Sequence, residues 1–231
     1  MREAYTCGLV AQSHCRTATK QGDTMLKVIA TVVRRPHISH EDLIKVWEEI
    51  HAPHVVKMAH PLRYHITFFD PRQTLYDPGL DGMAELWFRD QHHFATTIGR
   101  SAPPEILADR FNEYADFTKG TWLSVTEHIN LDGPTTRETT KLVYFVKRRD
   151  GIERTAFEKC WREIHIPNVL GALRRTPTAR RYTVDLVDSA RERVYDGIVQ
   201  IAMEGPHPSF ADVVSYEPDE FHELVRPLLI S

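Results

Sequence analysis

The chain has 231 residues, of which 42% are hydrophobic and 26% are charged, as in an ordinary globular protein. The formal net charge of −3 is too small to suggest binding to nucleic acid or electrostatic attachment to a membrane. No apolar run approaches the roughly 20 residues that span a bilayer, and the first residues lack the apolar core of a signal peptide. We therefore expect a cytoplasmic protein, and three cysteines without metal-type spacing suit that reducing compartment.

The first predicted elements are a strand and a helix. The apolar, β-branched stretch LKVIATVV predicts a buried strand. Ser39, with Asp42 three positions later, predicts the start of the helix. Helical spacing places Trp47 and His51 on one face of that helix. Pro53 should make the helix kink or restart close to His51.

Two further strands, RYHITFF and MAELWF, follow the helix. Alternation along the first strand places Tyr64 and Phe68 on one face and His65 on the other. In the second strand, Glu85 and Trp87 share a face. The sequence thus predicts an antiparallel sheet with chemically distinct faces.

The second half of the chain repeats the first. At an offset of 114 residues, positions 27–55 align with positions 141–169 without a gap, and twelve of the 29 aligned residues are identical. The most similar stretches are WEEIHAPHV and WREIHIPNV, in which His165 corresponds to His51. A helical region over about 90–117 and a last strand, TWLSVTEHI, complete a βαββαβ order in the first half. We interpret the chain as a duplicated domain.

The predicted organisation has four parts, and the second domain is shortened at its C-terminal end. The parts are an N-terminal extension (1–23), a first domain (24–130), a linker (131–139) and a second domain (140–231).

Several separated motifs of the first half, in this order, resemble the EthD family of the dimeric α+β barrel superfamily. They are a strand ending in Arg-Arg, a helix running into W-x-E-I-H-x-P-x-V, an R-Y strand and a DG-x-A-E-L-W-F strand. The resemblance implies an α+β fold in which two tandem ferredoxin-like (βαββαβ) domains pair their antiparallel sheets into an α+β barrel. That arrangement would be an internal pseudo-dimer, and a homodimer of the whole chain stays open.

The resemblance also suggests a range of functions. Relatives in this group include dehydratases and decarboxylases of aromatic polyketide pathways, and cyclases, that use neither metal nor organic cofactor. Other members have no settled activity, and haem-binding enzymes occur in the wider superfamily. The fold alone does not assign the chemistry.

His51 is the leading candidate for acid/base catalysis, since an imidazole with its ordinary pKa of about 6.5 gives and takes a proton near neutrality. His54 lies three residues further along the helix and differs from its counterpart Asn168, which favours a specialised role. A structural role for the histidines, bonded to backbone carbonyls, stays open. No acidic or cysteine partner is evident nearby, so we predict no metal.

Other candidates surround these histidines, and each could instead be structural or solvated. Tyr64, His65 and Glu85 could act as acid, base or substrate-orienting groups. The first copy holds nine of the 13 histidines, so we predict that it carries the site. The remaining predicted substrate-binding residues are Trp47, Phe68, Trp87, His128 and Arg34.

We predict a cofactor-independent lyase, of decarboxylase or dehydratase type, acting on a small aromatic, phenolic or polyketide-like acid in a helix–sheet pocket of the first domain. The alternatives are a polyketide cyclase or isomerase, a haem-binding protein of the same superfamily, and a non-catalytic binding protein without a pocket. Nucleotide, serine-esterase and zinc chemistry lack support, because the sequence has no Gly-rich phosphate loop, GxSxG, HExxH or CxxC.

Overall fold

The protein is described by a computed structural model at residues 6–8, 25–70, 79–99, 108–136, 139–188, 194–205 and 218–226. Most of the predicted N-terminal extension (1–23) lies outside these residues. The chain divides into two compact units, Thr6–Ser124 (the first unit) and Val125–Ser231 (the second unit). Both combine helices with antiparallel strands, so the predicted α+β class is confirmed.

The sheet of the first unit has the strand order β1-β3-β4-β2, and all these strand pairs are antiparallel. The start of β5 follows Thr121, whose carbonyl accepts a hydrogen bond of 2.9 Å from the Thr31 amide in β2. The elements are β1 (Thr6–Gly8), β2 (Leu26–Val32), α1 (His40–Val46), α2 (Ala52–Ala59), β3 (Arg63–Phe68), β4 (Gly82–Phe88), α3 (Gln91–Thr97) and β5 (Trp122–Asp132).

The helix of the first unit begins as the sequence predicts and changes its winding near His51. The Ser39 hydroxyl accepts a hydrogen bond of 3.0 Å from the Asp42 amide and caps α1. Between α1 and α2, Trp47–His51 form a π-helical turn. Pro53 has no amide hydrogen, and its ring would clash with the carbonyl four residues earlier, which a wider turn relieves. His51 therefore sits at a local irregularity, where π turns are frequently functional.

The second unit has the strand order β5-β7-β8-β6, with its own π-helical turn at Trp161–His165. Residues Val125–Asp132 of β5 pair with β7 in this unit, so the unit boundary falls inside β5 rather than at the predicted residue 130. The predicted linker is shorter, because β5 ends at Asp132 and β6 begins at Thr139. The elements are β6 (Thr139–Val146), α4 (Arg154–Cys160), α5 (Ile166–Leu173), β7 (Ala179–Val187), β8 (Gly197–Glu204) and α6 (Phe221–Leu224).

The predicted helical region over 90–117 is only partly helical. It contains α3 and a single 3₁₀ turn at Phe111–Glu113, while residues 100–107 lie outside the described part of the chain. In each unit the helices pack on one face of the sheet and enclose a hydrophobic core. The 3₁₀ turn in the first unit and α6 in the second both contribute a phenylalanine to these cores, Phe111 and Phe221. Among the described residues, no helix is both long and apolar enough to cross a membrane.

Candidate active site

His51 lies in a buried histidine–aspartate pair in the first unit. Its Nδ1 is 2.7 Å from Oδ2 of Asp109, and its ring stacks on Phe111 with the ring centres 3.9 Å apart. The Phe111 amide donates to the other carboxylate oxygen of Asp109 at 3.1 Å. Burial by itself raises the pKa of Asp109, but the hydrogen bonds from His51 and Phe111 outweigh it, so the pKa lies below its ordinary value. Asp109 is thus ionised and fixes the orientation of the imidazole.

The second unit contains the same pair. His165 Nδ1 is 3.0 Å from Oδ2 of Asp219, and its ring stacks on Phe221 at 4.4 Å. Oδ2 of Asp219 also accepts from the side chain of Asn168 at 2.8 Å. Burial lowers the pKa of His165 despite the opposing effect of Asp219, so the neutral imidazole is favoured near neutrality. A neutral imidazole whose Nδ1 is held by a carboxylate exchanges protons through Nε2.

The two aspartates are the residues that sequence reasoning missed. They follow their histidines by 58 and 54 positions, far beyond the helix where an acidic partner was sought. A signal was nevertheless present, because the sequence DRFNE at 109–113 matches DEFHE at 219–223 in the pattern D-x-F-x-E. The offset there is 110 residues rather than 114, so an ungapped alignment does not extend to it.

A tryptophan and a tyrosine lie beside each histidine–aspartate pair. In the first unit, Trp47 Nε1 donates to the Tyr64 hydroxyl at 3.0 Å, and burial raises the pKa of Tyr64 well above its ordinary value. The corresponding Trp161 is 0% exposed, and its Nε1 has no hydrogen-bond partner among the described residues. The first unit therefore has an internal hydrogen bond that the second unit lacks.

Both units have a cavity next to the histidine, but the two differ in size. The cavity of the first unit has about 40 Å³, and that of the second unit has about 180 Å³. His51 and Tyr64 line the smaller cavity, and His165 and Tyr182 line the larger one. The larger cavity thus lies in the second unit, whereas the number of histidines had predicted a site in the first.

Three of the predicted site residues lie on the opposite face of the sheet from His51. His65, Glu85 and Trp87 share this face as alternation predicts, and the ring centres of His65 and Trp87 are 5.1 Å apart. Glu85 forms a buried ion pair of 2.9 Å with Lys27, whose ammonium group lies 4.8 Å from the centre of the Trp87 ring. Because a β-sheet separates them from His51, these residues cannot share a substrate with it in this pocket. The predicted grouping of Glu85 with His51 is therefore wrong.

Arg34 and His128 also differ from expectation. Arg34 pairs with the buried Asp81 through both its side chain and its amide, so its guanidinium already holds a carboxylate of the protein. Arg148 binds Asp196 in the same way in the second unit. His128 does not end the first domain, because β5 continues to Asp132, and its pairing with Val184 places it in the second unit.

The other predicted residues remain close to His51. His54 is partly buried, and its electrostatic interaction with Asp109 is one of the causes that lower the pKa of that carboxyl. Phe68 packs edge-on against Trp47 at 5.4 Å and belongs to the core rather than to the cavity wall. Trp47 and Tyr64 line the smaller cavity.

One group of side chains in the second unit has the composition of a metal site. Ligand atoms of His165, Asp219 and His222 lie within 4.8 Å of one another. The carboxylate oxygens of Asp219 already accept hydrogen bonds from His165, Asn168 and the Phe221 amide. A metal ion would have to displace these hydrogen bonds.

Comparison with known proteins gives a family match within the first unit. The EthD domain family matches residues 35–118, the region whose motifs resemble that family. The whole of the second unit, Val125–Ser231, lies beyond this match, and the duplication stays a prediction. A comparison with curated protein sequences gave no match.

Two solved structures share low similarity with the chain. A proposed monooxygenase from Lactobacillus acidophilus is 12% identical, with a TM-score of 0.44, and the alignment covers 79% of this chain and 78% of that one. A chlorite dismutase variant from Candidatus Nitrospira defluvii is 11% identical, with a TM-score of 0.47, and the alignment covers 80% and 78%.

Proposed function

We propose that the protein is a lyase that acts on a small aromatic or polyketide-like acid by histidine acid/base chemistry, without a metal or an organic cofactor. The observation that carries the proposal is the buried histidine–aspartate pair beside an apolar cavity, His165 with Asp219 in the second unit. A positioned acid/base group in a pocket contributes typically 10²- to 10⁴-fold to a rate. Dehydration and decarboxylation need few protein groups beyond such an acid/base group in a pocket.

In a dehydration, neutral His165 would take a proton from a carbon next to a carbonyl group. The imidazolium would then protonate the leaving hydroxyl, so that water departs and a carbon–carbon double bond forms. Asp219 would stabilise the imidazolium and hold its orientation without itself being protonated. The low pKa of Asp219, caused by hydrogen bonds that outweigh its burial, suits this role.

In a decarboxylation, the order of proton transfer is reversed. Carbon dioxide leaves, the resulting carbanion-like carbon takes a proton from the imidazolium, and solvent returns a proton to the histidine. The neutral state of His165 near pH 7 favours dehydration, which begins with a base, over decarboxylation, which begins with an acid. Cyclisation of a polyketide also begins with proton removal by a base. It is therefore the second candidate function, and it rests on the same pair of His165 with Asp219.

The proposal is tested by incubating the purified full chain with phenolic acids and polyketide-like aromatics, with a chelator in one arm and added zinc in another. Mass spectrometry follows each compound. We expect loss of water or carbon dioxide from at least one compound in the presence of the chelator, and loss of that turnover in His165→Gln. A mass-neutral change would indicate cyclisation or isomerisation. Turnover that requires zinc, or that survives in both His51→Gln and His165→Gln, would overturn the proposal.

A further inference from the structure

We infer that the second unit carries the substrate site and that this site takes a single-ring aromatic carboxylate, with the ring in the cavity and the carboxylate at Lys147 and Arg226. This inference rests on the proposed function for its chemistry. It goes further than that function in stating the size of the substrate ring and in naming the groups that would receive the carboxylate.

The size of the two cavities supports the assignment. An apolar cavity of about 150 Å³ in another protein accommodates one benzene ring. The second unit offers about 180 Å³, whereas the 40 Å³ of the first unit is too small for a ring. His51 therefore has no space for such a substrate beside it, and His165 does.

The strand residues that line the two cavities occupy corresponding positions, but the other lining residues differ in character. Val199 and Ile201 line the larger cavity where Ala84 and Leu86 line the smaller one, at the same positions of β8 and β4. The lining of the smaller cavity also includes aromatic and aliphatic side chains, Ile98, Phe117 and Trp122. The larger cavity has basic or titratable side chains in its lining instead, Lys147, His222 and Arg226.

These basic groups form a receptor for an anion. Lys147, which lines the cavity, lies 3.5 Å from Asp196, and Arg148 also binds this carboxylate. Arg226 pairs with Asp150, but both side chains are largely exposed, at 49% and 82%. Exposed ion pairs contribute little to stability, so the Arg226 guanidinium can exchange this partner for a ligand carboxylate at small cost.

The buried indole of the second unit adds an independent observation. Trp161 Nε1 is a buried donor without a partner among the described residues, and an unsatisfied buried donor destabilises the fold. Its counterpart Trp47 is satisfied by Tyr64, while Tyr182 lines the larger cavity. The second unit thus retains an unused hydrogen-bond donor in the same core cluster as the cavity wall.

The test is calorimetric titration of the full chain with benzoate and with benzyl alcohol, a neutral probe of the same size. Val199→Phe fills the larger cavity, and Ala84→Val at the matched position narrows the smaller one. Arg226→Gln removes the proposed carboxylate partner, and Arg175→Gln, which is outside the cavity lining, makes the same charge change elsewhere in the second unit. In a separate experiment, benzoate is added to the wild-type protein, and NMR follows the indole N–H signals of Trp161 and Trp47.

We expect benzoate to bind the wild type, Val199→Phe to weaken this binding at least tenfold, and Ala84→Val to leave it unchanged. Arg226→Gln should weaken benzoate several-fold more than benzyl alcohol, and Arg175→Gln should affect neither. Only the Trp161 signal should shift. Absence of benzoate binding, a shift of Trp47 alone, or equal losses for both probes in Arg226→Gln would overturn the inference. Binding as expected without turnover of any acid would contradict the proposed function and leave this inference standing.

Discussion

His51 and Asp109 are 58 positions apart in the sequence, yet His51 Nδ1 and Asp109 Oδ2 are separated by 2.7 Å. His165 and Asp219 repeat this relationship: they are 54 positions apart, and His165 Nδ1 lies 3.0 Å from Asp219 Oδ2. In both pairs a phenylalanine two residues after the aspartate stacks on the imidazole and donates its amide to the carboxylate. This arrangement fixes one ring nitrogen of each histidine and makes the other the site of proton exchange.

Replacing Asp219 with asparagine should lower turnover of the substrate by about 10²- to 10⁴-fold, the usual contribution of general acid–base catalysis. An amide keeps most of the shape but cannot stabilise the imidazolium. Steady-state kinetics should compare the turnover of Asp219→Asn with that of Asp109→Asn, which is the matched change in the first unit. A larger loss in Asp109→Asn would place the chemistry in the first unit.

Gly197→Ala should destabilise the protein by about 1–3 kcal/mol, as expected for overpacking. A Cβ atom there would lie 2.6 Å from the Trp161 ring and 2.9 Å from the Asp185 carbonyl oxygen. Gly171→Ala is the control, because a Cβ atom within α5 has its nearest neighbour at 3.8 Å. It should stabilise by about 0.5–1 kcal/mol. Urea unfolding measures both changes. An unfolding midpoint of Gly197→Ala equal to that of the wild type would show that the Trp161 ring moves aside without cost.

Glu85→Gln should lower the free energy of unfolding without lowering activity of the folded protein. The side chains of Lys27 and Glu85 are only 2% and 3% exposed, so removing one charge leaves the other buried. Breaking such a pair typically costs about 3–5 kcal/mol. Chemical denaturation together with turnover at low temperature tests this. A loss of turnover in protein shown to be folded would return Glu85 to the catalytic group.

Stability should decrease as the pH falls from about 6.5. Burial keeps the pKa of folded His165 below its ordinary value, so over that interval the unfolded chain binds a proton that the folded protein does not. Asp219, whose folded pKa is also lowered, acts in the same direction only below about pH 4. Urea unfolding between pH 7.5 and 5 should show a flatter curve for His165→Gln than for the wild type. Parallel curves would contradict the neutral state of His165.

Local features of the fold were predictable from the sequence because they depend on neighbouring residues. The Ser39 cap, the irregular helix before Pro53 and the alternation of Tyr64 with His65 all follow from spacings of a few positions. The α+β class also followed, because strand and helix periodicities are strong in the first half.

The site was harder to predict, because its partners are distant in the chain. Asp109 reaches His51 from a segment that was predicted to be helical without a candidate site residue, and its match to Asp219 is offset differently from the main repeat. Counting histidines favoured the first unit, but the room beside a histidine depends on packing. The smaller cavity is the one lined by Ala84, although alanine is smaller than the Val199 that lines the larger cavity, so single side-chain volumes do not reveal which unit has room.

The most direct test of the account compares His165→Gln with His51→Gln on the compound that the wild type converts. Loss of water or carbon dioxide is followed by mass spectrometry, and circular dichroism confirms that both variants are folded. The account predicts a fall of at least about 10²-fold in turnover for His165→Gln and a much smaller change for His51→Gln. Full activity in folded His165→Gln would contradict it.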